Sequence, residues 1–427
     1  MNKIDKALKN LKEYIRTISD FEPYSKGFTP EIFFSRAEDG VLFLNGEDAR
    51  NYLRCLKEIV EVATHNEQIS QKAVENLVQK AILASLDINE RREDVAFNKR
   101  IDQAISELRE SLRKKPITMQ VYFPIAGLAK EGLPFEFGNV VLQEFNKDNI
   151  QQFQDILDNQ KIPVEEKENI QSIVDDISKK SIGKIFGEVS VKAKDYDAAK
   201  ILAQRDVRLA IDAINFYSDL IPYSSGYIYL FGDAGRVVIP IPSCSSESLS
   251  INFTQKVVGP LTPLSINALI KCNEEKGLGL DKVSELLSGK RSGLGERILS
   301  SIQWASRATI ETRKEEAFLL YAIALESLIL IENDKEELTY HLRTRVAHLL
   351  GKDILGKKKI VKQVRDLYII RSKIVHSGKY QVTDADLNLI RFITKSCILC
   401  ILTDEPFYSM KNQEQLVKWF DEKILSA

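Results

Sequence analysis

The spacing of apolar residues changes twice along this chain of 427 residues, and that pattern restricts the folds open to it. Between residues 46 and 113 apolar side chains recur every three or four positions, with almost no proline or glycine, which predicts amphipathic helices. From Ile185 to Ala193 apolar and polar residues alternate, as in a half-buried strand. Helical spacing returns at about Thr262 and continues from there. The sequence therefore predicts an α+β protein.

Three regions follow from these changes: a mostly helical N-terminal region at 1–115, a mixed α/β-strand middle domain at 116–262 and an all-α helical bundle at 263–427. In the middle domain, two apolar runs flank Gly232-Asp-Ala-Gly235, which predicts a hairpin. A second hairpin is predicted at 33–44. The helices predicted for the C-terminal region are 263–275, 280–288, 294–312, 314–332, 338–350, 357–376 and 384–403.

Composition places the chain among ordinary globular proteins. Apolar residues are 44% and charged residues 28%, which excludes a chain disordered throughout, and the net charge of −1 excludes one that is basic over its whole surface. Cys397 and Cys400 lie in an apolar run without a nearby histidine, so core packing is favoured over a redox or zinc site. The N-terminus lacks the apolar core of a signal peptide, and Glu326 interrupts the most apolar stretch. We therefore expect a cytoplasmic protein with no membrane contact.

The common nucleotide-binding and hydrolytic motifs are absent from the sequence. There is no phosphate-binding loop of the G-x-x-x-x-G-K-[ST] type, no G-x-S-x-G and no H-E-x-x-H. Residues 289–295 resemble a phosphate loop only loosely and are interpreted as a connection between helices. We expect neither a cofactor nor a metal ion.

Positive charge is concentrated in one segment. From Tyr340 to Tyr380 there are eleven lysines and arginines against two aspartates, a net charge of +9, so the rest of the chain sums to −10. Three of the four histidines, His341, His348 and His376, lie in the same segment. Such a run can be a solvated surface, and it is also what a nucleic-acid phosphate backbone attracts.

Within this segment, residues 364–378 predict a helix with two distinct sides. The apolar side holds Val364, Leu367, Ile370 and Ile374, and the polar side holds Arg365, Tyr368, Ser372 and His376. Gly378 is placed to end the helix in a left-handed cap, which puts His376 in the last turn. A histidine poised between its two protonation states suits proton transfer near neutral pH.

Arg371 and His376 are five residues apart, and therefore about 140° apart around an ideal helix. One straight helix cannot direct both side chains at one phosphate. Either the helix unwinds at its end, or a second copy of the chain supplies the missing partner across a two-fold axis. The same spacing recurs from Arg343 to His348, which we interpret as incidental because that helix has apolar residues that face a core, although His348 could help to line a site.

The C-terminal region resembles the Apea-like family of the HEPN (higher eukaryotes and prokaryotes nucleotide-binding) superfamily, whose members act in bacterial phage defence. The resemblance covers roughly residues 290–405. In chain order, its pieces are a helix with Trp304, the helix Ala322-Ile-Ala-Leu-Glu-Ser-Leu328, Arg345-Val-Ala-His-Leu-Leu350, and Tyr368-x-x-Arg371-Ser-x-Ile-Val-His376-Ser-Gly378.

The resemblance implies a helical bundle that forms a homodimer, with an R-x4-6-H motif from each copy lining the interface, and metal-independent endoribonuclease activity. It assigns Arg371 as the phosphate ligand and His376 as the acid–base group. Ser372 and Tyr368 are supporting residues, and Glu326 is expected to orient the arginine. Contact with RNA is expected of Arg345, Lys373 and Lys379.

Two other interpretations stay open. The bundle could serve only as a dimerisation or RNA-binding module with a regulatory role, or residues 368–378 could be purely structural. By analogy with the family, residues 1–262 would sense a phage-derived trigger or restrain the nuclease.

Overall fold

The computed structural model describes residues 3–18, 32–36, 40–44, 46–85, 95–159, 171–172, 175, 179, 181–221, 228–230, 235–240, 251–253, 263–289, 293–331, 338–377 and 381–425. Among these residues the chain forms two compact units. The first consists of Met1–Val121, Ser190–Ala203 and Val238–Ser250, and the second of Tyr122–Val189, Gln204–Val237 and Ile251–Ala427.

The first unit is built mainly from helices around one apolar core. Its elements begin with α1 (Lys3–Thr17), β1 (Ile32–Arg36), β2 (Gly40–Leu44), α2 (Gly46–Ala63), α3 (Gln71–Ser85) and α4 (Val95–Arg113). The helices bury one face each, so that Leu11, Ile59, Val78 and Ile101 are completely inaccessible to solvent. Strands β1 and β2 pair antiparallel, with Phe34 opposite Leu42, which confirms the predicted hairpin at 33–44.

The strands of the middle region form one seven-stranded sheet. The elements are β3 (Ile117–Ala126), β4 (Phe135–Phe137), β5 (Val140–Glu144), α5 (Lys147–Asn159), β6 (Ile185–Ala193), α6 (Tyr196–Ser218), β7 (Tyr229–Leu230), β8 (Gly235–Pro240) and β9 (Ile251–Phe253). The strand order is β4-β5-β6-β3-β8-β9, with β7 also beside β3. Together with the helices, this sheet makes the protein α+β, as predicted.

The predicted hairpin between β7 and β8 is wrong. Strand β7 pairs antiparallel with the end of β3, where Ile125 lies opposite Leu230, and β8 neighbours β3 and β9. The ten-residue β3 is long enough to pair with both short strands. The Gly232–Gly235 turn itself lies largely outside the described residues.

The C-terminal helices lie close to their predicted positions. They are α7 (Ile266–Lys276), α8 (Leu280–Ser288), α9 (Gly293–Ile310), α10 (Lys314–Ile329), α11 (Leu338–Leu350), α12 (Ile354–Ser377), α13 (Asp384–Thr403) and α14 (Gln413–Leu425), with a short 3-10 helix at Phe407–Ser409. The seven predicted helices are each confirmed to within three residues, and α14 was not predicted. Cys397 is completely buried in α13, and burial raises the pKa of its thiol, as expected for core packing.

The predicted division into three regions does not coincide with the two compact units. Residues 122–189 of the middle domain belong with the C-terminal helices. The turn between β4 and β5 packs closely against α8. The backbone N–H of Gly138 donates to the Ser284 hydroxyl on α8 at 2.9 Å. A Cβ at Gly138 would lie 2.3 Å from the Leu287 Cβ, and its φ is +63°, so only glycine fits there.

A buried cation ties α13 to the end of α6 within the second unit. The Lys395 ammonium is 3% exposed, donates to the Phe216 carbonyl at 2.5 Å and pairs with the Asp219 carboxylate. Burial lowers the pKa of Lys395 to about 8, and the Asp219 charge opposes that shift. Such a pair holds two elements in one arrangement, because neither partner is well solvated without the other.

Lys395→Met is therefore expected to lower the free energy of unfolding by about 3 kcal/mol, since it leaves the buried Phe216 carbonyl without its donor and leaves Asp219 with only the 3.8 Å contact to Arg391. Urea unfolding followed by circular dichroism measures the effect. The matched control is Lys418→Met, because the Lys418 side chain is 78% exposed and its ion pair with Glu422 joins adjacent turns of one helix. Equal stability of the two variants would contradict a structural role for the buried cation.

Candidate active site

Helix α12 carries the segment singled out in the sequence, and three of the four residues predicted for its apolar side are buried, whereas Ile374 is half-buried. Val364, Leu367 and Ile370 are buried, with 2%, 5% and 8% exposure, while Arg365 on the opposite side is exposed. These three residues recur every third position and therefore lie on one side of the helix. Because that side faces the core, it fixes the rotation of the helix about its axis. That rotation decides which polar side chains face solvent.

The exposed face of α12 is basic and includes His376. At about 100° per residue, seven exposed side chains fall within an arc of about 80°. One of them is Leu355 in the first turn, and the other six, called the basic face below, are Lys358, Lys362, Arg365, Ile369, Lys373 and His376. The face brings His376 into line with lysines up to five turns away. The sequence analysis counted Lys358 and Lys362 in the charge of the segment but did not align them with His376, which a helical wheel would have done.

Arg371 lies at the edge of this helix and pairs with Glu326 of α10. The Arg371 Nε is 3.4 Å from the Glu326 Oε1, and the two side chains are 30% and 21% exposed. Burial raises the pKa of the Glu326 carboxyl, and the Arg371 charge opposes that shift. Glu326 and Arg371 thus form an ion pair, although the Glu326 Oε1 has no hydrogen-bond partner in the part of the chain that the structure describes.

Tyr368 and Ser372 flank the arginine and are both half-buried. The Arg371 guanidinium carbon lies 5.7 Å from the centroid of the Tyr368 ring, within the range of a cation–π contact. Burial raises the pKa of the Tyr368 hydroxyl, and the nearby Glu326 charge adds to that effect. Tyr368, Arg371 and Glu326 therefore form one cluster between α10 and α12.

Arg371 and His376 do not converge within one chain. Helix α12 is continuous through Ser377, so the helix does not unwind before His376, and the separation of about 140° stands. His376 is exposed, and no other described residue forms a hydrogen bond or ion pair with it. The predicted Gly378 cap and Lys379 lie outside the described residues.

Arg345 does not occupy the RNA-facing position expected of it. Its side chain is 3% exposed, Nη1 donates to the Ile329 carbonyl at 3.1 Å, and the guanidinium lies 5.7 Å from the Phe420 ring centroid. A guanidinium in this position cannot reach a phosphate at the surface. Arg345 instead connects α11 to the C-terminal end of α10 and to α14, where helix carbonyls lack partners of their own.

His348 lies near the N-terminal part of α12. Its Nδ1 is 3.1 Å from the Lys357 Nζ, and burial, followed by the charges of Lys357 and Lys423, holds the pKa of His348 below its usual value. Because an ammonium can only donate, the Nδ1 of His348 accepts a hydrogen bond from Lys357 in this contact.

Trp304 lies half-buried on α9, with the Arg307 guanidinium 5.1 Å from its ring centroid. Helix α9 packs along α10, and the Ser301 hydroxyl donates to the Ala324 carbonyl at 2.7 Å. The sequence pieces that carry the family resemblance thus lie on four neighbouring helices, α9 to α12.

Comparison of the chain with protein-family models, curated proteins and solved structures finds no match. In the described part of the chain, histidine, cysteine, aspartate and glutamate side chains form no group of three that could hold a metal ion. None of the helices in the described ranges is both long and apolar enough to cross a membrane.

Proposed function

We propose that the chain is a metal-independent endoribonuclease of the HEPN type that works as a homodimer. The observation that carries the proposal is the arrangement on α12. His376 stands exposed on the basic face, and Arg371, about 140° around the same helix, pairs with Glu326. A basic face supplies affinity for a phosphate backbone, and an exposed imidazole in that face supplies proton transfer.

In the proposed reaction, the imidazole of one His376 takes the proton from a ribose 2′-hydroxyl. The 2′-oxygen then attacks the adjacent phosphorus, and the bond from phosphorus to the 5′-oxygen breaks. The protonated His376 of the second copy gives its proton to the leaving 5′-oxygen. Arg371 stabilises the negative charge that develops on the phosphorane oxygens. The products are a 2′,3′-cyclic phosphate and a 5′-hydroxyl.

The role of Glu326 is positioning. The carboxylate contacts Nε, the nitrogen nearest the aliphatic stem of Arg371, and thereby limits the rotation of the guanidinium. A planar guanidinium fixed in this way can present donors to a phosphate with little further loss of conformational freedom.

The direct test is incubation of the purified full chain with end-labelled RNA in EDTA. We expect cleavage, with fragments that end in a 2′,3′-cyclic phosphate. Absence of cleavage under conditions where the RNA is bound would favour the non-catalytic RNA-binding module instead. The separation between Arg371 and His376 within one chain is the observation that supports this second candidate.

RNA binding should depend steeply on salt, because lysines that neutralise phosphates release counterions. Replacing Lys358, Lys362 and Lys373 with alanine is expected to reduce the slope of log affinity against log salt by about 2, at about 0.7 per single-stranded phosphate contact. Fluorescence anisotropy at several salt concentrations measures the slope.

The matched control replaces three exposed lysines that lie off the basic face, Lys9, Lys271 and Lys418. The total charge change is then the same. If the slope falls equally in both triple variants, RNA binding depends on the net charge of the chain. The basic face would then not be the contact surface.

The proposed cellular role is phage defence, as the family resemblance implies, with residues 1–262 responding to a phage-derived trigger. The cluster of Tyr368, Arg371 and Glu326 between α10 and α12 supports the proposed nuclease activity and gives no support to this cellular role.

A further inference from the structure

A cavity of about 360 Å³ opens within the first unit. It lies between α3, the C-terminal end of α4, the start of β3 and the junction of β6 with α6. Its volume is at the small end of the range of about 300–1,000 Å³ that is typical of small-molecule pockets. The apolar residues that line it are Ile69, Ala73, Leu77, Ile117 and Met119.

The charged residues in the cavity wall are mainly lysines. Lys80, Lys114, Lys115 and Lys194 line it, against a single carboxylate, Asp195. A concave surface of one sign of charge concentrates its field and attracts an ion of the opposite sign. The cavity is therefore electrostatically matched to an anion.

Both carboxylate oxygens of Asp195 accept hydrogen bonds from backbone N–H groups. Its Oδ2 accepts from the Ser70 N–H at 2.8 Å, and its Oδ1 accepts from the Ala198 N–H at 3.0 Å. These bonds cap the first turns of α3 and α6. The carboxylate thus has a structural role at this junction and is poorly placed to neutralise four lysines.

Lys194 is held in place in the wall. Its Nζ donates to the Leu112 carbonyl at 2.7 Å, and its backbone N–H donates to the Gln68 carbonyl at 2.7 Å. Burial lowers the pKa of Lys194. An anion in the cavity would offset that loss of hydration, so a bound anion and the Lys194 cation stabilise each other.

The rest of the lining indicates what else the ligand carries. A phosphate ion would leave the apolar wall uncovered, whereas a ligand with a flat apolar ring would cover it. Tyr196 offers an aromatic face, and Asn76 and Ser111 offer hydrogen-bond donors and acceptors. We propose that this cavity binds a nucleoside phosphate, with its phosphates among the lysines and its base against the apolar wall.

This proposal is independent of RNA cleavage. All the lining residues belong to the first unit, and none lies on α12. The test is isothermal titration calorimetry of the full chain with the 5′-monophosphates and 5′-diphosphates of adenosine, guanosine, cytidine and uridine. The unphosphorylated nucleosides and inorganic phosphate are titrated in parallel.

We expect at least one nucleotide to bind at least tenfold more tightly than its nucleoside and than inorganic phosphate. The double substitution Lys114→Glu and Lys115→Glu should weaken that binding at least tenfold, because both side chains are exposed at the wall and lie outside any helix. The control, Lys57→Glu on the exposed side of α2, should leave it unchanged.

Three outcomes would overturn the proposal. One is that none of the eight nucleotides binds. Another is that inorganic phosphate binds as tightly as any nucleotide, which would make the cavity a simple anion site. The third is that binding survives the double substitution in the cavity but is lost when Lys358, Lys362 and Lys373 are replaced, which would assign the nucleotide to the basic face of α12.

Discussion

His376→Ala is expected to lower the rate of RNA cleavage at least 100-fold, because general acid–base groups typically contribute about 10²–10⁴ to a rate. The same change should leave the free energy of unfolding within about 0.5 kcal/mol of the wild type, since substitutions at exposed positions away from packing rarely exceed that. His376 is exposed on the basic face of α12, which is why the two effects should separate so clearly. Cleavage of labelled RNA and thermal unfolding are measured on the same preparation.

The matched control is His65→Ala, which removes another exposed histidine, just after α2 in the first unit. We expect full activity from this variant. Full activity of His376→Ala with unchanged stability would refute its assignment as the acid–base group, whatever the chain does to RNA.

Arg371→Ala is a less clean test of the same site. Removing the guanidinium takes away the charge that holds down the pKa of the partly buried Glu326 carboxyl. Loss of activity could then come from local rearrangement of α10 and α12 as well as from the missing phosphate ligand. His376 makes no such contact among the described residues, so its substitution isolates the chemistry.

The helices of the C-terminal region could be predicted from sequence because the residues that mark where each helix begins and ends lie within or next to that helix. Thr383 and Asp386 form a complete capping box at the start of α13, and the predicted and observed helix both begin at residue 384. Residues 280–288 and 338–350 were likewise delimited by their own spacing of apolar residues. Local signals of this kind do not depend on the rest of the fold.

Strand pairing and unit boundaries could not be predicted in the same way. A turn signal predicts that the chain reverses, but whether β7 pairs with β8 or with β3 depends on which edge is open in the folded sheet. The assignment of residues 122–189 to the second unit rests on contacts such as Gly138 to Ser284, which are 146 residues apart in sequence.

The candidate site was predicted in part. The pairing of Arg371 with Glu326 agrees with the expectation, whereas Arg345 was placed on the wrong side of its helix. Leu342 and Val346, three positions before and one after Arg345, are both buried, so a helical wheel already puts Arg345 toward the core. A count of charges along the sequence treats every arginine as exposed, and that assumption fails for one that caps a helix end. The lysine-lined cavity could not be foreseen, because its walls come from three separated parts of the chain.

Mixing subunits should show that the active site contains groups from two copies of the chain. Because α12 is continuous through Ser377, Arg371 and His376 of one chain point about 140° apart, and a composite site needs a second copy. We expect an equal mixture of wild-type chain and the inactive double variant Arg371→Ala/His376→Ala to show, after subunit exchange, about a quarter of the activity of wild-type chain at the same total concentration, because only dimers of two intact chains are active. Independent sites would keep about half. Light scattering at the assay concentration must show a dimer, and RNA cleavage is measured before and after exchange.

A second mixture separates the two kinds of composite site. Dimers of Arg371→Ala with His376→Ala hold one arginine and one histidine on opposite chains. Recovery of activity in this mixture would mean that one such pair suffices, whereas continued inactivity would mean that both histidines are needed, as acid and as base. Either result is consistent with the loss to a quarter in the first mixture. A wild type that cleaves RNA as a monomer, or a first mixture that keeps half of the activity, would refute the composite site, because in both cases Arg371 and His376 of a single chain would be sufficient despite their separation on α12.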